Sequence, residues 1–199
     1  MAGFAGKSVD PGVLARARKG DMKAHEIIFR TFSPPVYSLM ARMTGSTVTA
    51  DDLLQETFIE VMRSIGRFRG DASLATWIRK IAVSKCLMHL RSAWRNRATL
   101  FRDLGEDHAP YEPAVGCDSP LTQVQMDLER ALARLSDTSR VVVILHDIEG
   151  YTHREIADLM GKSVSFSKSQ LARAHQRLRH VVAVAQAQAD ERGTGRIDQ

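Results

Sequence analysis

From Thr49 to Val61 the chain reads TADDLLQETFIEV. Leu53, Leu54, Thr57, Phe58 and Val61 recur at helical spacing, and Asp51, Asp52, Glu56 and Glu60 fall between them. Such a pattern predicts an amphipathic helix with an acidic outer face, and Thr49 is the expected N-cap. The next stretch, Gly66–Ser73 (GRFRGDAS), has the glycine, serine and aspartate content of a loop. Ser73 is placed to cap a helix running from Leu74 towards Arg95, with Trp77, Ile78, Ile81, Ala82, Cys86, Leu87 and Leu90 as its apolar stripe. Residues 103–120 hold three prolines and five carboxylates and lack Lys and Arg, the composition of a flexible acidic linker.

Helical periodicity resumes at Leu121–Leu135, through Val124, Leu128, Leu132 and Leu135. Ser136 can begin a further helix carrying Val141, Val142, Ile144, Leu145 and Ile148. The run VVVIL could also form a buried strand, but Leu145 and Ile148 continue a helical stripe and Gly150 supplies a stop, so helix is preferred. Thr152 and Glu155 have the spacing of a capping box, and the short helix they open ends at Gly161. Ser163 can cap a last helix with Val164, Leu171, Ala174, Leu178 and Val181 inward, and with Lys168, Arg173, Arg177 and Arg179 towards solvent. Two short helices joined through a glycine turn make a helix-turn-helix. The tail from Gln186 is expected to fray. The expected fold is all-α: two helical domains joined by the acidic linker. The expected boundaries are an N-terminal tail at 1–12, domains at 13–102 and 121–185, a linker at 103–120 and a tail at 186–199.

Composition narrows the class. A chain of 199 residues with 44% hydrophobic and 26% charged residues supports packed cores of modest size and excludes wholesale disorder. The net charge of +5 favours a polyanionic partner. That charge is unevenly distributed: from Arg63 to Arg102, ten Lys and Arg face only Asp71, directly after the acidic helix. Cys86 and Cys117 form neither a disulfide framework nor a zinc pattern, consistent with a reducing cytoplasm. No apolar run approaches the roughly 18 residues of a membrane span, and residues 1–12 lack a signal-peptide core, so no membrane insertion is expected.

Catalytic patterns fail on inspection. His25-Glu26 opens like a zinc-protease helix, but Phe29 stands where the second imidazole belongs. Gly161-Lys162-Ser163 resembles the end of a phosphate loop whose earlier glycine would fall at Ile156. Asp51, Asp52 and Glu56 lack a calcium-loop glycine or a neighbouring histidine, and His89 near Cys86 has no second ligand pair, so no metal or other cofactor is expected. The histidines read as surface or satisfied core residues. The basic second helix of the helix-turn-helix fits the major groove, and DNA binding is favoured over a structural hairpin. Trp77 falls on an apolar stripe and is expected in the core. Phe68, between Arg67 and Arg69, is the better candidate for contact with nucleic acid.

Two stretches resemble one family. The segment DDLLQETFIEVMRSIGRFRGDASLATWIRKIAVSKCLMHLR resembles the second domain of bacterial extracytoplasmic-function (ECF) sigma factors. LARLSDTSRVVVILHDIEGYTHREIADLMGKS, with the following SKSQLARAHQRLR, resembles their fourth. The match spans about Val13 to Val181 in the family's order. It implies a promoter-specificity subunit, without enzymatic activity of its own, that binds core RNA polymerase and promoter DNA in the cytoplasm and helps open the duplex. An anti-sigma factor is a further candidate partner, since many members have one. Carried over residue by residue, core binding falls to Asp51, Asp52, Leu53, Gln55, Glu56 and Phe58. Recognition of the minus-ten strand falls to Phe68, Arg69, Gly70, Asp71, Ser73, Arg79, Lys80 and Ser84, with Ser84 standing where many members have Asn. Recognition of the minus-thirty-five element falls to Lys168, Ser169, Gln170, Arg173 and Arg177. Phe166 departs from the family's usual run, and packing within the domain is favoured over contact with a thymine methyl. The linker would thread the polymerase interior.

Two rival readings remain at this stage. One is a stand-alone regulator using the helix-turn-helix on duplex DNA, and the acidic helix argues against it. The other is a metal-dependent hydrolase built on the carboxylates of that helix, which metal-dependent thermal stabilisation would reveal.

Overall fold

Capping chemistry sets most helix starts. In a computed structural model of the chain, residues 3–4, 6–100 and 123–194 are described. Helix α1 (Pro11–Ala17) begins within the stretch read as a tail, with the Asp10 carboxylate accepting from Gly12 N at 2.7 Å. Asp21 accepts from Lys23 N and Ala24 N to start α2 (Met22–Thr44), which ends on Gly45 at φ +71°. Helix α3 (Thr47–Ser64) starts earlier than expected: Ser46, not Thr49, is its N-cap, and Thr49 contributes its amide to the Ser46 hydroxyl at 3.3 Å. A 3-10 turn (Ile65–Arg67) leads into the loop, and Ser73 caps α4 (Leu74–Leu100) through Thr76 N at 3.1 Å.

These four helices form one compact unit in which α2, α3 and α4 each pack on the other two. Its core takes Phe32, Val36, Leu39, Met40 and Met43 from α2. Leu53, Phe58 and Val61 come from α3, and Ile78, Ala82, Cys86, Leu87 and Leu90 from α4. Burying side chains of this size supplies on the order of 1.5–3 kcal/mol each, the main force holding the unit.

A second compact unit contains α5 (Gln123–Ala133), α6 (Asp137–Val143), α7 (His153–Met160) and α8 (Val164–Thr194). The VVVIL run is helical, and it passes into a π-helical turn at Ile144–Ile148. The capping box forms as its spacing predicts: Glu155 N donates to Thr152 Oγ1 at 3.2 Å, and Thr152 N to Glu155 Oε2 at 2.8 Å. Gly161 closes α7 at φ +64°. Ser163 accepts from Phe166 N at 3.1 Å and opens α8. Val164, expected inward, is 39% exposed because it is the first residue of that helix. Among the described residues there is no strand, and no helix is long and apolar enough to cross a membrane. Arg102, the acidic linker at 103–120 with Cys117, and Leu121 lie outside the described residues, as do the side chains of Val124 and Val181 and residues 195–199 of the tail.

Candidate polymerase and nucleic-acid interfaces

Helix α3 divides its predicted interface residues between two faces. Asp51, Asp52, Gln55 and Glu56 are exposed on the acidic side. Leu53, at 4% exposure, and Phe58, at 2%, point into the core, and the Phe29 ring of α2 meets Phe58 edge-on at 4.8 Å. As direct docking contacts these two are therefore corrected. They hold α3 against its neighbours and leave the four polar side chains outward. Lys85 of α4 reaches Glu56, with Nζ 3.4 Å from Oε2.

The loop after α3 and the start of α4 line an open cavity of about 300 Å³. Phe68, Arg69, Gly70, Asp71 and Lys80 all line it, so five of the eight residues predicted for the minus-ten strand come together. Gly70 sits at φ +87°, a left-handed conformation costly for other residues, and it lets the chain curl around the cavity. Arg69 and Asp71 flank that glycine as a 3.2 Å ion pair, and both are well exposed. Ser73, Arg79 and Ser84 are not among the walls. Ser73 is occupied in capping α4, Arg79 is half-buried, and Ser84 is exposed one turn beyond Lys80.

The two aromatic residues depart from expectation. Phe68 is buried at 8% exposure, whereas Trp77, expected in the core, is only half-buried and also lines the cavity. Their ring centroids lie 5.2 Å apart with planes tilted by 43°. Phe68 thus serves as a floor for Trp77, and the open aromatic surface belongs to Trp77. Arg67 completes a basic rim that sequence reasoning had not singled out.

In the second unit, Lys168, Ser169, Arg173 and Arg177 are all exposed on α8. Ser169, Arg173 and Arg177 follow each other at four-residue intervals and so share one face. Gln170 is half-buried, and its Oε1 accepts from the Ser139 hydroxyl of α6 at 2.9 Å. Phe166 is half-buried too, with the Lys162 ammonium 5.7 Å from its ring centroid.

A polar cluster binds the helix-turn-helix to the π-helical turn. Asp147 accepts from His175 Nε2 at 2.6 Å and from His146 Nδ1 at 2.8 Å. Burial, the largest single influence, would raise the Asp147 carboxyl, but the hydrogen bonds and charges of His175 and His146 together outweigh it and hold its pKa below the ordinary value. His146 stacks on His153 at 4.5 Å, and His153 Nδ1 lies 3.0 Å from the buried Ser167 hydroxyl. Partial burial foremost, then the nearby His146 and Lys168, lower the His153 pKa. No spacing rule joins these residues, which come from three separate elements.

Comparison with known proteins decides the family. The chain matches the model of Sigma-70 region 2 over residues 28–96 and that of Sigma-70 region 4 over residues 125–178. It is 33% identical over 181 residues to the ECF RNA polymerase sigma factor SigM of Mycobacterium tuberculosis, covering 88% of this chain and 87% of that protein. The chain belongs to the ECF sigma factor family. This sigma factor is also similar to the RNA polymerase sigma factor CarQ of Myxococcus xanthus, at 31% identity over 85% of this chain and 95% of that protein. In fold it resembles the sigma factor RpoE of Bartonella quintana, solved in complex with the anti-sigma factor NepR, with a TM-score of 0.52 and 22% identity over 82% of this chain and 98% of that one. Membership makes the chain a polymerase-binding factor that directs promoter-specific initiation. Core RNA polymerase and promoter DNA are its partners.

Proposed function

We propose that the two functional domains of this sigma factor span residues 13–102 and 121–185 and divide initiation between them, joined by the acidic segment 103–120 within the polymerase. Asp51, Asp52, Gln55 and Glu56 dock on a basic helical surface of core polymerase, where an acidic face free of Lys and Arg is electrostatically complementary. The cavity walled by Arg69, Gly70, Asp71, Trp77 and Lys80 receives an unstacked base of the minus-ten strand. Stacking on an aromatic ring is worth about 1–3 kcal/mol per base, enough to offset much of the few kcal/mol spent on unstacking. Arg79, Ser73 and Ser84 then serve the strand beside the cavity. Lys168, Ser169 and Arg173 read the minus-thirty-five duplex, with Arg177 on phosphate and Gln170, its Oε1 held by Ser139, offering its amide NH2.

The protein works by binding energy and not by catalysis, in the cytoplasm where polymerase is found. An anti-sigma factor, such as the one bound to the Bartonella protein, would hold it inactive by covering the same surfaces. The observation that carries the residue-level reading is the cavity itself: a basic, aromatic-walled pocket on the loop between the acidic helix and the basic one. Run-off transcription with purified chain and bacterial core polymerase on pooled genomic fragments tests it. New, protein-dependent transcripts sharing upstream elements are expected, and Trp77→Ala should reduce them far more on closed duplex than on templates melted beforehand across the minus-ten element. Equal loss on both templates would overturn the role given to the cavity.

A further inference from the structure

Arg18 stands outside every interface named above, yet it is bonded to the floor of the cavity. It closes α1, its amide donating to Leu14 O at 3.0 Å. Its side chain crosses 50 positions of sequence to the loop, where Nη2 donates to the Phe68 carbonyl and the guanidinium carbon lies 5.8 Å from the centroid of the Phe68 ring. The backbone follows: a Cβ on Gly66 would come within 3.9 Å of the Arg18 carbonyl oxygen. Arg18 is itself held from both sides. His25 Nε2 is 2.9 Å from Ala17 O, and Asp21 N donates to Arg16 O at 3.2 Å before Asp21 caps α2.

We propose that Arg18 is a positioning residue for promoter melting: it fixes Phe68, Phe68 supports Trp77, and the cavity therefore stands formed before DNA arrives. The inference rests on the reading of that cavity as the minus-ten base site. The loop beyond Phe68 is exposed from Arg69 to Ser73, and the ion pair bridging Gly70 is itself exposed, so the bond to the Phe68 carbonyl ties the loop's base to α1. A pocket that needs no ordering on binding retains the affinity that ordering would consume. Arginine suits this task better than lysine, because one planar group both donates to the carbonyl and lies over the ring.

The test uses the full chain assembled with core polymerase on a promoter recovered by run-off transcription. Arg18→Ala should weaken binding of a single-stranded minus-ten oligonucleotide about tenfold. Binding to core polymerase and to minus-thirty-five duplex should not change, and Arg18→Lys should recover part of the loss. In the free full-length chain with a Trp94→Phe background, Trp77 fluorescence should become more accessible to acrylamide in Arg18→Ala, a change that loss of general stability below the melting transition would not produce. Lys80→Ala, on the cavity wall, is the reference. If Lys80→Ala weakens oligonucleotide binding and Arg18→Ala does not, the cavity reading stands and Arg18 has no positioning role. If neither weakens it, the cavity reading falls and the inference with it. Should Arg18→Ala lose helix content, Arg18→Gln and Arg18→Lys decide: both binding the oligonucleotide as tightly as the unaltered chain would overturn the proposal.

Discussion

Lys85 Nζ lies 3.4 Å from Glu56 Oε2, so the acidic face of α3 is tied to the basic helix α4 by an ion pair that leaves more than half of the Glu56 side chain in solvent. Exposed pairs of this kind contribute about 0–1 kcal/mol, because two long side chains must be ordered in a screened medium. The pair therefore matters more for what Glu56 can offer a partner than for holding the helices together. Lys85→Ala should change the unfolding free energy by no more than about 1 kcal/mol in urea denaturation. It should also tighten core polymerase binding a few-fold at low salt, by removing a positive charge from the face proposed to dock.

Charge reversal on the same face is the stronger perturbation. Asp52 is exposed and does not hold a core position, so Asp52→Arg should leave folding intact. Like-charge contact with a basic partner costs several kcal/mol, hence roughly a hundredfold loss of affinity for core polymerase. Binding of minus-thirty-five duplex by the same variant should be unchanged. Equal affinity of Asp52→Arg and the unaltered chain in a polymerase titration would move the docking surface away from α3.

Arg173 lies on the exposed face of α8 shared by Ser169 and Arg177. If it makes a bidentate contact with a base, Arg173→Ala should cost about 1–3 kcal/mol and relax preference at one base pair. A phosphate contact would instead weaken all sequences alike and lower the salt slope by about 1. The first outcome is expected for Arg173 and the second for Arg177. Affinities measured across single-base variants of the duplex at two salt concentrations separate them.

In the second unit a buried ion pair carries more weight. Arg140 and Asp137 are 1% and 7% exposed at the side chain, with Nη2 2.8 Å from Oδ1, and Arg140 Nη1 reaches Leu135 O at 3.5 Å. Removing one partner of such a pair leaves a charge in a poorly solvated place and costs about 3–5 kcal/mol. Asp137→Ala should therefore speed amide hydrogen exchange throughout α6, α7 and the start of α8 while leaving α2–α4 unaffected. Uniform acceleration in both units would show that the pair does not act locally.

Local chemistry made much of this legible in the sequence. The Thr152–Glu155 box, the Gly161 stop and the Ser163 and Ser73 caps are each settled within four residues, and all four form. The helical reading of VVVIL also rested on nearby spacing. Other features depend on residues distant in sequence. Pro34 and Pro35 each remove a backbone donor from the middle of α2, a signal against a helix, yet burial of Phe32, Val36 and Leu39 against α3 and α4 overrides it. The Phe68 carbonyl is bonded by Arg18, 50 positions away, and no periodicity near the loop records that bond. Gln170 likewise looks free on α8 until Ser139 is brought beside it.

Burial pushes the Cys86 thiol well above the usual cysteine range, so it holds its proton at physiological pH and is a poor nucleophile. In a Cys117→Ser variant, a thiol reagent at pH 8 should label native protein only at the rate of unfolding, and denatured protein within seconds. Cys86→Ser should destabilise the first unit by about 1–3 kcal/mol, since a hydroxyl buried there has to leave water. Rapid labelling of the native variant would mean that α4 opens readily.

The pH dependence of the second unit follows from His153 and Asp147. The folded pKa of His153 lies below its ordinary 6.5, so as pH falls through 6.5 the unfolded chain takes up a proton that the folded chain resists. Stability contributed by neutral His153 is thus fully present above that pH and declines below it until the folded form is protonated as well. Asp147 acts lower: its folded pKa is below 3.8, so its contribution is present above 3.8 and is lost as pH falls through the folded value. His146 and His175 face Asp147, and Lys168 adds to the positive field at His153, so protonation should loosen the stack between the turn and α7 before α8 separates. Urea midpoints of the second unit, followed by hydrogen exchange between pH 7.5 and 3, should show two steps. His153→Gln should abolish the upper step and Asp147→Asn the lower. An upper step that survives in His153→Gln would assign it to another group.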